Sequence, residues 1–341
     1  MRIALDVMGG DFAPQNPIQG AIQAANAYPG IQVILVGPKD VINSELAKHK
    51  NAPSFEIVHA SEVIEMHEHP AQAVRAKKDS SMVVGMKLVK NKEADGFFSA
   101  GNTGGILAAG IFYLKRMRGI KRPALSGLFP TMRGQTFLLD IGANADVKPE
   151  YLQQFALMGY LYSERVLKRA NPTVAIMSNG EEEGKGNQLV IEAYDLIKQL
   201  PINFQGNAEG RDLAEGKFDV IVTDGFTGNV MIKTAEGIGR MVKELLKQTF
   251  KADPLSMLSG ALFMPFGYPR IKKVINPDEV GGAPLLGLNG IALVGHGSSS
   301  PVAIQNGIRA TKEAAESHIV KAIADGLAEH KTRASKEKVE S

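Results

Sequence analysis

Short apolar runs alternate along the chain with longer segments in which apolar residues recur every three or four positions. The runs are typical of buried strands, and the segments are typical of helices with one buried face. This alternation predicts an α/β fold of three layers, α/β/α, around a largely parallel sheet. The predicted strands are 3–8, 31–36, 55–60, 96–100, 124–129, 136–141, 173–177, 219–223 and 290–294, and the predicted helices are 17–28, 80–90, 106–114, 149–169, 187–197, 233–250 and 301–326.

The alternation changes after Gly225. An amphipathic helix is predicted at 233–250, the most apolar surface-type segment follows at 254–266, and 281–287 is predicted to be a loop. Because no repeat or linker-like stretch divides the chain, we expect one α/β/α catalytic domain over 1–330, with a helical excursion near 230–275. The remainder, 331–341, is predicted to be a charged and frayed tail.

Composition narrows the class of protein. The 341 residues include no cysteine, which excludes a disulfide framework, a thiolate metal site and a catalytic Cys. The formal net charge of +3 is too small for a general nucleic-acid binder, so no nucleic-acid partner is expected. No run approaches the roughly 18 apolar residues of a membrane span. The N-terminus enters a predicted strand at once, without a signal-peptide pattern, and a cytoplasmic location is expected.

Several predicted strands end in loops rich in glycine and small polar residues. In a parallel sheet, such carboxyl-end loops lie along one edge, where ligands bind. Their amide, hydroxyl and backbone N–H donors suit an oxyanion such as phosphate or a tetrahedral intermediate. Each loop alone is also ordinary turn chemistry, so the prediction depends on their number. The loops are 6–11, 99–104, 140–144, 224–229 and 296–300.

One further loop, 178–187, has the strongest features of an anion site. It lies between a short buried strand and a helix start, and it contains three glycines and Lys185. Backbone N–H groups and the positive end of the helix converge at such a position. Three adjacent glutamates, 181–183, argue against a plain phosphate cradle, and the alternative is a charged surface turn.

Familiar catalytic motifs are absent. The first strand is not followed by G-x-G-x-x-G, 180–186 is one residue short of a P-loop, and no G-x-S-x-G elbow occurs. His67 and His69, with Glu65 and Glu68, fit a solvated polar loop better than a metal site, so neither a metal nor another cofactor is expected. If the chain transfers an acyl group, bound phosphate is the candidate nucleophile, because it is already anionic.

Two surface features suggest partners. A dense basic cluster stands where a predicted helix ends, and it fits either a solvated helix terminus or a docking patch for an acidic partner. The apolar segment 254–266 fits either a dimer contact or a membrane-surface anchor. The basic cluster comprises Lys115, Arg116, Arg118, Lys121 and Arg122, and the contact residues of the apolar segment are Leu255, Leu258, Leu262 and Phe263.

Taken together, the loops resemble those of the bacterial acyl-[acyl-carrier-protein]:phosphate acyltransferases of phospholipid synthesis. The matching elements, in order, are 6–11, 99–104, 140–144, 178–187, 224–229, 281–287 and 296–298. The resemblance implies attack of inorganic phosphate on the thioester of an acyl carrier protein, giving acyl phosphate. It also implies the fold of isocitrate and isopropylmalate dehydrogenases, a homodimer without nicotinamide, and action at the inner face of the membrane, where the product supplies a glycerol-3-phosphate acyltransferase.

Residue roles follow from this resemblance and from the chemistry of the side chains. Lys185 and the backbone of 184–187 are expected to hold phosphate, with Asp224 orienting Lys185 or its neighbours. Asn102, Thr103 and Asn229 are expected to bind phosphate or polarise the thioester carbonyl, and His296 and Ser298 complete the pocket. The other expected binding residues are Gly9, Gly10, Asp11, Gly101, Gly104, Asn144, Asn179, Gly184, Gly186, Asn187 and Gly228.

Three alternatives stay open. A phosphotransacetylase acting on acyl coenzyme A would use the same fold and the same phosphate chemistry. A metal-dependent decarboxylating dehydrogenase would need clustered Asp ligands and a nicotinamide site, neither of which the sequence indicates. A membrane-surface scaffold with a vestigial site would not need intact polar loops.

Overall fold

A computed structural model describes residues 1–266 and 281–340. Its strands are short and, at the centre of the sheet, buried on both faces, as in β1 and β4. Coverage of both faces explains why these strands are continuous apolar runs in the sequence. The strands are β1 (Arg2–Asp6), β2 (Gln32–Gly37), β3 (Glu56–His59), β4 (Gly96–Ser99), β5 (Ala124–Thr131), β6 (Gly134–Leu139), β7 (Val174–Met177), β8 (Phe204–Ala208), β9 (Val220–Val222), β10 (Ala283–Leu286) and β11 (Ile291–Val294).

Among the described residues, these strands form one sheet in the order β3-β2-β1-β4-β11-β10-β5-β6-β9-β7-β8. The first five strands in this order are mutually parallel, and so are the last four. Between them, β10 is antiparallel to both β11 and β5, and β5 is antiparallel to β6. The two parallel half-sheets therefore run in opposite directions.

The carboxyl ends of the two half-sheets meet at β10. Val294, the last residue of β11, pairs with Ala283, and Leu285 pairs with Leu125 of β5. The Leu125 carbonyl accepts a hydrogen bond from the N–H of Ile141, two residues beyond β6. Along the strand direction the two carboxyl ends are thus offset by only two residues of β10, about 7 Å, and across the sheet they are three strand spacings apart, about 14 Å. The prediction that all carboxyl-end loops share one edge was wrong, because they approach one another from opposite half-sheets.

Helices cover both faces of the sheet, and the predicted three-layer α/β fold is confirmed. The helices are α1 (Gln15–Ala27), α2 (Lys39–Leu46), α3 (Pro70–Ala76), α4 (Ser81–Lys90), α5 (Thr103–Ala109, continued by a π-helical turn over Gly110–Leu114), α6 (Pro149–Arg165), α7 (Gln188–Lys198), α8 (Gly210–Glu215), α9 (Gly225–Lys251), α10 (Pro254–Phe266), α11 (Pro301–Glu316) and α12 (Ile319–Glu340).

Three predictions for the last third of the chain were wrong. The stretch 281–287 is not a loop, because its short apolar run pairs on both sides as β10. The single predicted helix 301–326 is two helices, separated at His318, whose φ of 53° cannot continue a helix. The tail is not frayed coil within the described residues, since α12 continues to Glu340.

Within the described residues, the predicted helical excursion is a helix hairpin made of α9 and α10; its last part, 267–275, lies outside them. In α9, Gly225 and Gly228 are buried, Met231 and Ile232 pack partly buried against the core, and most of the remaining residues are exposed. The Phe250 and Phe263 rings stack at 5.6 Å and join the two helices. Among the described residues, no helix is both long enough and apolar enough to cross a membrane.

Candidate functional site

Four helices follow the carboxyl ends of strands, each as the next helix along the chain, and three of these strands belong to the inner part of the sheet while β7 lies next to its outer strand. They are α5 after β4, α7 after β7, α9 after β9 and α11 after β11. A side-chain oxygen caps each of them by accepting an N–H of the first turn, and the capping residues are Asn102, Asn187, Asp224 and Ser300. Each helix directs its positive end and its remaining N–H donors toward the carboxyl edge of its half-sheet.

The loops of the first half-sheet are in direct contact. The Asp11 N–H donates to Gly297 O at 2.8 Å, and the Gly295 N–H donates to Ser99 O at 2.8 Å. A Cβ on Gly9 would lie 2.7 Å from Ser99 Oγ and 2.8 Å from Gly101 N, so only glycine permits this approach. The structure therefore brings together the three predicted loops 6–11, 99–104 and 296–300, the last through Gly297 and the preceding Gly295.

A buried carboxylate organises these three loops. Asp6 is 3% exposed; its Oδ2 accepts from the Ser99 hydroxyl at 2.7 Å, and its Oδ1 accepts from the Met8 N–H at 3.0 Å. Ser99 Oγ in turn accepts from the Gly101 N–H at 3.0 Å. Burial raises the pKa of Asp6, and hydrogen bonds from Ser81, Ser99, Met8 and Gly9 oppose that rise.

A second buried carboxylate, Asp140, organises the matching loop of the other half-sheet. Its Oδ1 accepts from the N–H groups of Leu125, Gly142 and Ala143 at 2.9–3.2 Å. Its Oδ2 accepts from the backbone N–H and side-chain amide of Asn144 at 2.8 and 2.7 Å. Burial raises the pKa of Asp140, and these donors oppose the rise. The predicted binding residue Asn144 is thus engaged internally, because its amide nitrogen also donates to Pro123 O at 2.8 Å.

The start of α9 packs onto this loop. The Gly225 N–H donates to Asn144 O at 2.8 Å, and a Cβ on Gly142 would lie 3.9 Å from the Asn229 side chain. Asp224 accepts from the Thr227 N–H and hydroxyl at 2.8 and 2.7 Å. Its observed partners therefore lie in its own helix, not at Lys185. The predicted loop 224–229 is the N-cap and first turn of α9, and it exposes Asn229.

Asn102 and Thr103 differ in their freedom to bind a ligand. The Asn102 amide nitrogen lies 3.1–3.3 Å from the carbonyl oxygens of Glu65, Met66 and Glu68, and its Oδ1 caps α5. Asn102 therefore fastens the 65–69 loop over the start of α5. Thr103 is exposed at the first position of that helix.

His296 and Ser298 form an exposed pair. The His296 Nδ1 lies 2.8 Å from the Ser298 hydroxyl, and it accepts from the Ser298 N–H at 3.3 Å. Because a backbone N–H can only donate, Nδ1 is the acceptor, and the proton of the neutral ring is on Nε2. This leaves Nε2–H free to donate to a substrate oxygen or sulfur.

Loop 178–187 lies on the outer side of the second half-sheet, next to β8. Within the described residues, no hydrogen bond or ion pair joins it to the other predicted loops, and the Lys185 ammonium has no such partner. Two of its glutamates are ion-paired: Glu183 with Lys198 at 2.8 Å and Glu181 with Lys217 at 3.0 Å. These ion pairs offset the negative charge of Glu181 and Glu183, which argued against an anion site. The side chains of Lys185, Asn179 and Asn187 are exposed.

Glu181 also belongs to a cluster with Glu209 and Asp212, whose oxygens lie within 4.8 Å of one another. Arg211 forms an ion pair with Glu209 at 2.7 Å, and Lys217 forms one with Asp212 at 3.2 Å, so cationic side chains of the chain already neutralise this cluster.

The sequence did not reveal the organising roles of Asp6, Asp140 and Ser99. Each of them is an acidic or hydroxyl residue at the end of an otherwise apolar strand. Such a position is buried, and a buried polar group needs several hydrogen-bond partners, so this pattern could have identified them.

Both predicted surface features are exposed. All five residues of the basic cluster are exposed at the end of the helix that begins with α5. Leu255 and Leu258 of α10 are 76% and 60% exposed, whereas Phe263 packs on Phe250; the side chain of Leu262 lies outside the described residues. Sequence reasoning did not single out a further apolar stripe along α9, formed by Ile238, Met241, Val242, Leu245 and Leu246.

Solved phosphotransacetylases share this fold. The structure aligns with a phosphotransacetylase from Streptococcus pyogenes at a TM-score of 0.61 and with the EutD phosphotransacetylase from Staphylococcus aureus at 0.59. Both are 16% identical in sequence, and each alignment covers 92% of this chain and 94% of the other. At this identity the likeness establishes the fold alone. The structure is therefore an α/β protein of the phosphotransacetylase fold, with capped helix N-termini after four of its strands.

The chain belongs to the fatty acid synthesis protein family, whose model matches residues 1–322. It is 49% identical to the phosphate acyltransferase of Dictyoglomus turgidum over 330 residues, 96% of this chain and 98% of that one. It is 51% identical to the phosphate acyltransferase of Acidobacterium capsulatum over 313 residues, 91% and 92% of the two chains. The resemblance found in the loops is thereby confirmed, and the chain is an acyltransferase of lipid synthesis.

Proposed function

We propose that the chain transfers a fatty acyl group from acyl carrier protein to inorganic phosphate and releases acyl phosphate for phospholipid synthesis. The observation that carries this proposal is the set of capped helix N-termini at the carboxyl ends of both half-sheets. Helix N-termini stabilise phosphate and the oxyanion of an attacked thioester. The relatives named phosphate acyltransferase support phosphate as the acyl acceptor.

In the proposed reaction, a phosphate oxygen attacks the thioester carbonyl directly. The C–O bond forms, the tetrahedral intermediate collapses, and the C–S bond breaks with release of the carrier thiolate. Thr103 and the N–H groups at the start of α5 bind the developing oxyanion, and Asn102 holds this helix start in place. His296 donates from Nε2 to the leaving sulfur or to the carbonyl oxygen.

Phosphate binding is assigned to Lys185, the backbone of 184–187 and Asn229. The free Lys185 ammonium and the N-terminus of α7 attract the dianion, and the paired glutamates do not repel it strongly. Since the observed contacts do not join Lys185 to the other loops, the bound phosphate and thioester together bridge loop 178–187 and the other loops in this mechanism.

The basic cluster is assigned to docking of the acidic carrier protein. It stands at the far end of the helix that begins at Thr103 and ends at Leu114, twelve residues or about 18 Å away. A carrier bound there must span that distance with the arm that bears its thioester. A carrier protein presents its acyl group on such an arm.

The hairpin of α9 and α10 is assigned to homodimer formation and to contact with the inner face of the membrane. Its exposed apolar residues recur at helical spacing on α9 and cluster at the start of α10. Such a stripe is stable in water only when another surface covers it. Membrane contact would deliver the amphipathic product to a glycerol-3-phosphate acyltransferase.

The test is thioester loss from a long-chain acyl carrier protein, with and without phosphate, following acyl phosphate by its reaction with hydroxylamine. Phosphate-dependent formation of acyl phosphate is expected. Turnover with acyl coenzyme A but not with the carrier would favour a phosphotransacetylase, and inactivity with both would favour a scaffold. Replacing Leu255 and Leu258 with Glu, then measuring vesicle binding and oligomeric state, separates an anchor from a dimer contact.

A further inference from the structure

Asn207 of β8 supports loop 178–187 from the neighbouring strand. This residue is 4% exposed, and its Nδ2 donates to Glu182 O at 2.6 Å and lies 3.5 Å from Lys185 O. The strand register pairs Asn207 with Ile176 of β7. Since side chains alternate along a strand, Asn207 lies on the same face as Ser178, where the loop begins. One side-chain amide thus holds two carbonyls of the loop.

Among the described residues, only the nitrogen of the Asn207 amide has hydrogen-bond partners. Its Oδ1 is buried without a hydrogen-bond partner among the described residues, and the same is true of the Ser178 hydroxyl. A buried, unpaired acceptor destabilises a fold, and an apolar side chain of similar size would avoid this cost. Fold stability therefore does not explain an asparagine at this position, whereas its contact with the loop does.

The direction of Lys185 depends on the backbone that Asn207 holds. The Glu182 carbonyl accepts from both Asn207 and the Lys185 N–H, the latter at 3.0 Å. After Lys185, Gly186 has a φ of +119°, and a Cβ there would lie 2.7 Å from Val190 of α7. The ammonium of Lys185 has no hydrogen-bond or ion-pair partner within the described residues. The start of its side chain is placed by the turn, by the start of α7 and by Gly180, where a Cβ would lie 2.8 Å from Lys185 Cγ.

We propose that Asn207 is a positioning residue that orients the Lys185 side chain so that its ammonium can bind phosphate. This inference rests on the proposed function, in which Lys185 binds phosphate. Asn207 does not touch phosphate itself; it acts by fixing the turn over 182–186. The proposal predicts that loss of the amide weakens phosphate binding without weakening the fold.

The test replaces Asn207 with Leu, and separately with Ala, and measures acyl phosphate formation against phosphate concentration. We expect the KM for phosphate to rise about tenfold, a coupling typical of groups in contact, with a much smaller change in kcat. In a Lys185→Ala background, Asn207→Leu should change kcat/KM for phosphate less than about twofold, because coupled groups are not additive. Asn203→Ala is the control: its amide also donates to a carbonyl, Asn171 O at 3.0 Å, but outside the loop.

Equal effects of Asn207→Leu with and without Lys185 would overturn the proposal, as would an unchanged KM or loss of folding in both Asn207 variants. If the wild-type protein forms no acyl phosphate from phosphate, the proposed function fails instead. Positioning is then still measured by hydrogen exchange at the amides of 182–186. Asn207→Leu is expected to accelerate this exchange and Asn203→Ala is not; equal exchange would refute the positioning role.

Discussion

Gly228 offers the sharpest test of how α9 is joined to the sheet. A Cβ at this position would lie 1.9 Å from the Asp140 carbonyl oxygen and 3.1 Å from the Thr223 side chain. A normal contact needs more than 3 Å, so Gly228→Ala must move α9 away from the 140–144 loop by about an ångström. Because the opposing atom is backbone, it cannot rotate aside as a side chain would. We expect a loss near the upper end of the usual overpacking range, about 3 kcal/mol.

The matched control lies on the same helix. A Cβ on Gly237 would have no atom within 4 Å, so Gly237→Ala should stabilise the protein by about 0.5–1 kcal/mol through helix propensity alone. For 341 residues the unfolding entropy is about 0.7 kcal/mol per kelvin, so the two variants should melt about 4 °C below and about 1 °C above the wild type.

The assay is thermal unfolding, followed by circular dichroism and repeated in denaturant. A Gly228→Ala variant within 1 °C of the wild type would show that α9 and the 140–144 loop are not in contact as described. Activity gives a second reading, because a displaced α9 also moves Asn229 away from the proposed site. We expect Gly228→Ala to lower activity and Gly237→Ala to leave it unchanged.

Four other expectations can be checked separately. Asp140→Ala leaves five N–H donors without an acceptor and should cost about 3 kcal/mol or more in denaturant unfolding; a loss below 1 kcal/mol would contradict that network. The pKa of Asp6 is raised above 3.8 in the folded protein, so the free energy of unfolding that Asp6 contributes should fall as the pH rises from about 4. The wild type should therefore lose its stability advantage over Asp6→Asn as the pH rises; an advantage that grows with pH would refute this. Ser298→Ala should retain activity within about tenfold if phosphate attacks directly, whereas a loss beyond about a thousandfold would indicate an acyl-serine. Arg118→Glu combined with Arg122→Glu should raise the KM for the carrier at low salt and much less at high salt; a salt-independent effect would argue against electrostatic docking.

Most secondary elements could be predicted from the sequence, because strands buried on both faces and amphipathic helices leave distinct patterns. Errors arose where local patterns compete. Asp224 to Asn229 was predicted to be a ligand loop, but the same residue types also cap helices, and here Asp224 caps α9. Likewise β10 is only four residues long and contains Pro284, and its strand conformation depends on partners from two distant segments.

The candidate site divides in the same way. Its residue types were evident in the sequence: glycines, neutral donors and Lys185 in loops after strands, with no cysteine to act as nucleophile. The sequence did not show which of these donors can bind a ligand. The side-chain amides of Asn102 and Asn144 donate to carbonyl oxygens of residues more than 20 positions away in the chain.

The sequence by itself thus determined the fold class, because fold class depends on local periodicity, and it indicated the family through the resemblance of its loops. Only the tertiary structure decided that two half-sheets of opposite direction meet at β10, that Asp6 and Asp140 organise the loops on the two sides, and that loop 178–187 is held by Asn207. Strand order and the partners of buried polar groups depend on long-range pairing, and the local pattern of a chain does not encode which segments will meet.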